Sequence, residues 1–151
     1  QGGSDFGTSD VVSPKSFQLE IDRKFDSEHV AGSAYIIEPR ENGKPTVKLT
    51  MEFPRMDTAN EAWFANWTAG TELKGDITIT GPIIVSAATY VLKFQMPRLI
   101  IEDVEFPDGG LIPTKAVFRA VVADSAPTGM TGLTKPVTIT LVNLRSTDLL
   151  S

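Results

Sequence analysis

Three groups of residues have types and spacings that chemistry uses. The first is the carboxylate cluster Glu102, Asp103 and Glu105. Cleaving a glycosidic bond takes two carboxylates facing each other across a cleft. Strand neighbours point to opposite faces, so closeness in sequence does not place two of them together. Charges of this kind also guard strand edges against aggregation, and that is how the cluster reads. The second is His29, the one histidine of the chain, in a polar stretch. It has no cysteine to work with and no carboxylate at a ligand spacing, so it lacks a zinc set. It reads as an exposed loop residue. A serine or threonine nucleophile would need this same histidine, and no Gly-x-Ser-x-Gly elbow is present. A phosphate loop would open a helix with glycines, whereas the single predicted helix opens with Met56-Asp57-Thr58. The third group is Trp63, Phe64 and Trp67. Aromatic rings stack on sugars, but at helical spacing they are more often core or subunit contact. Asn66-Trp67-Thr68 matches a glycosylation sequon inside that predicted helix, a common chance match. No catalytic, cofactor-binding or metal-binding residue is assigned, and no cofactor is expected.

The elements are organised around residues 90–106. Tyr90, Leu92, Phe94 and Met96 alternate with Val91, Lys93 and Gln95, a period of two with one apolar row. Pro97 removes a backbone donor, so the strand must end, bend or lie at an edge. Leu99 and Ile101 then follow an odd phase, and Val104 and Phe106 an even one. One extra residue near Glu102–Asp103 would bring all four to one face, as a β-bulge does. This predicts two consecutive strands, or one long bent strand, crossing between packed layers.

Further strands are predicted at 16–23 (Phe17, Leu19 and Ile21 inward), 33–39, 46–53 (Val47, Leu49, Met51 and Phe53 inward) and 72–80. Two more fall at 115–123 (Ala116, Phe118, Ala120 and Val122 inward) and 137–144 (Val137, Ile139 and Leu141 inward). Phe53, Phe94 and Phe118 are expected in the core. Asn42-Gly43 gives a hairpin turn signal. Thr58 and Glu61 have capping-box spacing, with Met56 as staple, and Gly70 supplies a helix stop. Gly81-Pro82 reads as a connection, and 24–31 and 124–135 as loops. Strands, one helix, then strands predict a mainly β fold, a sandwich or barrel with one flanking α-helix.

The chain has 151 residues, 12 of them glycine and 10 proline, with no cysteine and a net charge of −5. That suffices for one domain with a core. The acidic balance argues against sequence-independent DNA binding, which needs clustered Lys and Arg. No apolar run approaches a membrane span. The chain begins with Gln1, which reads as a fragment or processed product. Residues 1–10 are rich in Gly, Ser and Asp and read as a flexible linker or tail, leaving 11–151 as the β domain.

The order of runs resembles the tail tube proteins of long-tailed bacteriophages. Residues 12–21 resemble their first strand. Residues 48–53, 57–68 and 72–80 resemble their strand, single helix and next strand. Residues 92–106, with Pro97-Arg98 among alternating apolar residues, resemble late strands, and 115–124 and 137–143 the final two. The resemblance implies two roughly orthogonal antiparallel sheets with a flanking helix. It also implies a structural virion protein and no enzyme, assembled in the bacterial host cytoplasm. Six domains, or three chains of two domains each, ring a hollow tube, and stacked rings pass DNA without specific binding. Residues 1–10 would then join two domains, this being the C-terminal one. A carbohydrate- or surface-binding β-sandwich module is the rival expectation, with Trp63 and Trp67 exposed.

On the tube reading, one polar sheet face lines the lumen. Glu20, Asp22 and Glu52 are its candidates, opposite the apolar rows of their strands. Lys48 shares their face. The loops long enough to stack rings are 23–32 and 124–136, with Arg23, His29, Thr128 and Met130 as candidates.

Overall fold

Alternating residues set the strands, and a computed structural model shows how they join. It describes residues 5–7, 10–26, 40–41, 43–54, 62–85, 88–105 and 114–143. In chain order the elements are β1 (Ser16–Asp22), β2 (Phe25–Asp26), β3 (Arg40–Glu41), β4 (Thr46–Phe53), α1 (Ala62–Ala69), β5 (Glu72–Val85), β6 (Ala88–Glu105), β7 (Thr114–Ala120) and β8 (Thr138–Val142). The described strands form one six-stranded sheet in the order β1-β4-β7-β6-β5, with β8 also on β6, and a β2–β3 ribbon. The protein is mainly β with one short helix. Predicted residues 33–39, Phe106 and the capping set Met56, Thr58 and Glu61 lie outside the described residues, as does His29. The hairpin expected at Asn42-Gly43 involves residues 33–39 and 42, which lie outside the described residues; among the described ones β3 pairs with β2 and β4 with β1.

The chain divides into two compact units. The first comprises Gln1–Val11, Gly70–Ile100 and Ala120–Ser151, the second Val12–Ala69 and Ile101–Arg119. The long strand β6 runs from one into the other, 18 residues without a break.

In the second unit, β1 and β4 are antiparallel, with Phe17 opposite Met51, Leu19 opposite Leu49 and Ile21 opposite Val47. Val47, Leu49 and Phe53 are buried with Ile101, Val104, Ala116 and Phe118. The helix lays Trp63 on this core: its ring stacks on Phe53 at 6.1 Å and meets Phe118 edge-on at 5.4 Å. Gly70, with φ of 63°, ends the helix as expected. Phe17 and Ile21 depart from expectation. They are 46% and 41% exposed, because β1 is the outer strand of the sheet and has β4 as its neighbour.

In the first unit, β5 and β8 pair with β6 along its two edges. Ile77, Phe94 and Ile139 lie in register, as do Ile79, Leu92 and Leu141. Opposed residues of antiparallel strands share a face, so these six make one apolar surface. It is only partly covered: Ile79, Ile139 and Leu141 are 48%, 51% and 63% exposed, and Ile77, Leu92 and Phe94 half-buried. The expected inward placement of Ile139 and Leu141 is thereby corrected. Val122 is likewise exposed, since β7 ends at Ala120.

A register shift also occurs earlier than the phase change expected at Glu102–Asp103. Leu73 pairs with Leu99 and Gly75 with Met96, so Pro97 and Arg98 of β6 together oppose Lys74 of β5. A proline with no donor to offer fits such a site. The buried residues change phase there, from Met96 to Leu99 and Ile101, and change again between Ile101 and Val104. Pro82 also sits inside a strand where a connection was expected. Its position on the outermost strand, at a second register shift between Thr80 and Ile83, makes the missing donor harmless.

Gly75 permits the closeness of β5 to the core. A Cβ there would lie 2.7 Å from Leu99 Cδ1 and 3.5 Å from Met96 Cε. Both side chains are buried and have little room to yield. Gly75→Ala is expected to lower stability by about 1–2 kcal/mol through overpacking. A chemical denaturation curve unchanged in midpoint would show that Leu99 repacks freely.

Candidate functional site

The carboxylates at the end of β6 are engaged in cross-strand ion pairs. Glu102 meets Lys48 Nζ of β4 at 3.4 Å and Arg119 Nε of β7 at 3.1 Å. Glu105 receives Lys115 Nζ at 3.1 and 3.2 Å. Their charges are balanced across the sheet, and the arrangement serves to hold strands together. Among the described residues no group of three or more His, Cys, Asp or Glu is placed to hold a metal.

The tryptophans hold the helix to its sheet. Trp63 is half-buried and packs against Phe53 and Phe118, and Trp67 Nε1 donates to the Glu102 carbonyl at 3.2 Å while the residue stays 37% exposed. Asn66 is half-buried within the same helix.

Glu20, Asp22 and Glu52 are all exposed and share the outer face of β1 and β4. That face is mixed in sign. Glu20 lies directly across from Lys48, Asp22 across from Thr46, and Glu52 accepts a hydrogen bond from Ser16 Oγ at 3.0 Å. In the first unit the face opposite the apolar surface is neutral on balance. Lys93 Nζ sits 2.9 Å from Asp76 Oδ2, between the hydroxyls of Thr78 and Thr140 in register.

Of the loop candidates, Arg23 is exposed, its guanidinium 5.5 Å from the Phe25 ring centre. Thr128 is exposed and its carbonyl accepts from Lys74 Nζ at 2.7 Å. Met130 is buried, so its side chain anchors the loop and is not presented at its surface. The loop is built from two turns, Met130 N to the Pro127 carbonyl and Leu133 N to the Met130 carbonyl, each 3.0 Å. Gly129 and Gly132, with φ of 82° and 77°, take the left-handed corners of these turns. Ala123 N closes the loop on the Thr134 carbonyl at 2.9 Å. Beside it, Phe6 lies under Lys74 Nζ at 4.6 Å. Residues 5–7 and 10, in the stretch read as a linker, thus have defined neighbours.

Two features escaped the sequence reading. Arg98, at the bulge, binds Glu72, Asp124 and the Val122 carbonyl, and only a basic residue after a mid-strand proline hinted at it. The uncovered apolar faces of β1 and of β5-β6-β8 left no separate signal, since covered and bare rows alternate alike. Among the described residues no helix is long and apolar enough to cross a membrane.

These features define a β-sheet protein with balanced charge clusters and bare apolar strand faces. The fold is shared with a chain in a solved structure of the virion of a native gene transfer agent particle. The TM-score is 0.57 at 9% sequence identity, over 85% of each chain. No family model matches the sequence, and no curated protein matches it.

Proposed function

We propose that this chain is a structural subunit of a phage-like virion, and more narrowly a tail tube subunit. Six such domains, or three chains of two domains each, would ring a channel, with stacked rings passing DNA without gripping it. Assembly would take place in the bacterial host cytoplasm, and the chain would have no enzymatic role. The observation that carries the reading is the fold likeness to a gene transfer agent virion chain over most of both molecules. The bare apolar faces support it, because large exposed apolar surface marks association. Two roughly orthogonal sheets belong to this finer reading; the described strands supply one six-stranded sheet and a ribbon. The packing of Trp63 on Phe53 and Phe118 weighs against the carbohydrate-binding rival, and the 37% exposure of Trp67 is what that rival expects. Electron microscopy of the concentrated protein is the test. Rings with six-fold or pseudo-six-fold symmetry are expected, and featureless monomers at high concentration would count against the reading.

The lumen assignment has its own test. Changing Glu20, Asp22 and Glu52 together to Lys is expected to leave tubes intact but make them retain DNA. Retention should fall steeply as salt rises, since each added phosphate contact releases a counterion. Intact tubes with unchanged DNA affinity would place these residues away from the channel.

A further inference from the structure

The surface formed by Ile77, Ile79, Leu92, Phe94, Ile139 and Leu141 has the makings of a protein interface. Every position of its two registered rows is apolar, and half of them are exposed by nearly half or more. We propose that this face binds a second copy of this chain, seating the Phe17–Leu19–Ile21 row of that copy's β1. The proposal rests on reading the chain as an assembling subunit and names the surfaces that meet.

Charge selects the kind of contact. The chain carries a net charge of −5, so two copies repel through most of their surfaces. The six-residue face holds no charged group and escapes that repulsion. It also offers no hydrogen-bonding side chain to a sugar or a nucleotide. Area agrees. The face supplies on the order of 300 Å² of exposed apolar surface, within the range of the largest patches on monomers, which are often functional. That is a reasonable apolar centre for an interface burying about 800 Å² on each partner, with a polar rim around it.

The second bare row selects the geometry. Phe17 and Ile21 are 46% and 41% exposed on a strand at the end of the sheet order. A contact pairing row with face covers both features at once. It is heterologous, so it repeats from copy to copy and either closes into a ring or runs on.

Two double variants test this. One, Ile79→Asp with Leu141→Asp, spoils the face. The other, Phe17→Asp with Ile21→Asp, spoils the row. Sedimentation velocity and native mass spectrometry on the full chain are expected to show self-association weakened at least about 100-fold in each, as for loss of interface hot spots. Mixed in equal amounts, the two are expected to form a heterodimer that grows no further, because one intact row meets one intact face. Thr140→Asp, on the opposite face of β8, should assemble like the wild type. All five substituted positions are exposed, so melting temperatures should stay close to wild type. Should a double variant unfold, Leu141→Gln alone is expected to weaken association about tenfold. A wild-type chain that remains at its monomer mass of 16.3 kDa at millimolar concentration overturns the contact. So does a row variant that assembles normally, or a mixture that stays monomeric. Rings that persist in the face variant sink the contact and leave the tube reading standing. Association lost in both variants, with no rings seen for the wild type, sinks the tube reading and leaves the contact.

Discussion

Phe118→Ala is expected to lower the unfolding free energy by about 3–5 kcal/mol, the largest effect of any substitution considered. The side chain is 1% exposed, and its ring meets Trp63 edge-on. Truncation removes the transfer energy of the ring and leaves a cavity beneath the helix. Neighbours on β4 and β6 are fixed in the sheet ladder and fill that cavity poorly. The same change at Phe94 is expected to cost less, since half-buried Phe94 loses less burial. Denaturant titration measures both, with Trp63 emission shifting red in the Phe118 variant. Equal losses at the two positions, or a loss at Phe118 below about 1 kcal/mol, would contradict the burial described for the sheet.

Arg98→Ala is expected to cost about 2–3 kcal/mol and to free the loop at 121–136. The guanidinium donates through Nε and Nη2 to Glu72 Oε1, the former at 2.9 Å, and through Nη1 to the Val122 carbonyl at 3.3 Å and Asp124 Oδ2 at 3.2 Å. The Arg98 carbonyl accepts from Val121 N at 3.0 Å, so this residue fastens the exit of β7 to the bulge. Most of the loss comes from Glu72 and the carbonyl. Asp124 is exposed, and an ion pair of that kind contributes under about 1 kcal/mol. Lysine reaches only one of these partners at a time, so Arg98→Lys should restore little. Hydrogen exchange at the Ala123 amide reads the loop directly, through its bond to Thr134. Unaltered exchange there in the alanine variant would show that the turns hold the loop without Arg98.

Period-two alternation located β1, β4, β5, β6, β7 and β8, because it is a local property of the backbone pleat. It identified Val47, Leu49 and Phe53, and Ala116 and Phe118, as core. It misjudged Phe17, Ile21, Ile139 and Leu141 for a single reason. Alternation says which residues share a face, whereas coverage depends on strand order and on what lies over the sheet. Pro82 was read as a break because a proline's tolerance depends on whether its strand is outermost, again a property of the order. The phase change expected at Glu102–Asp103 is present in the burial of Ile101 and Val104, and the sequence reading missed a further register shift against β5 at Pro97–Arg98. The ion pairs of Glu102 with Lys48 and Arg119 join three strands, and no spacing in the sequence marks them. Absence of a familiar catalytic motif was legible; the surfaces that matter for assembly were not.

The segments of the two units alternate along the chain: Val12–Ala69 and Ile101–Arg119 build one, and Gln1–Val11, Gly70–Ile100 and Ala120–Ser151 the other. During synthesis, the unit containing Phe118 therefore has all its parts once residue 119 has emerged. The other still awaits the loop and β8. For that interval Phe94 and Leu92 lack the strand that pairs beside them. At about 5–20 residues per second, the wait lasts a few seconds. A ribosome thus delivers a finished half attached to an unfinished one, and no single cut of the gene would yield either half whole. The time for which an aggregation-prone edge stands open is set by translation speed between residue 120 and β8, a quantity that codon choice can tune without altering one residue.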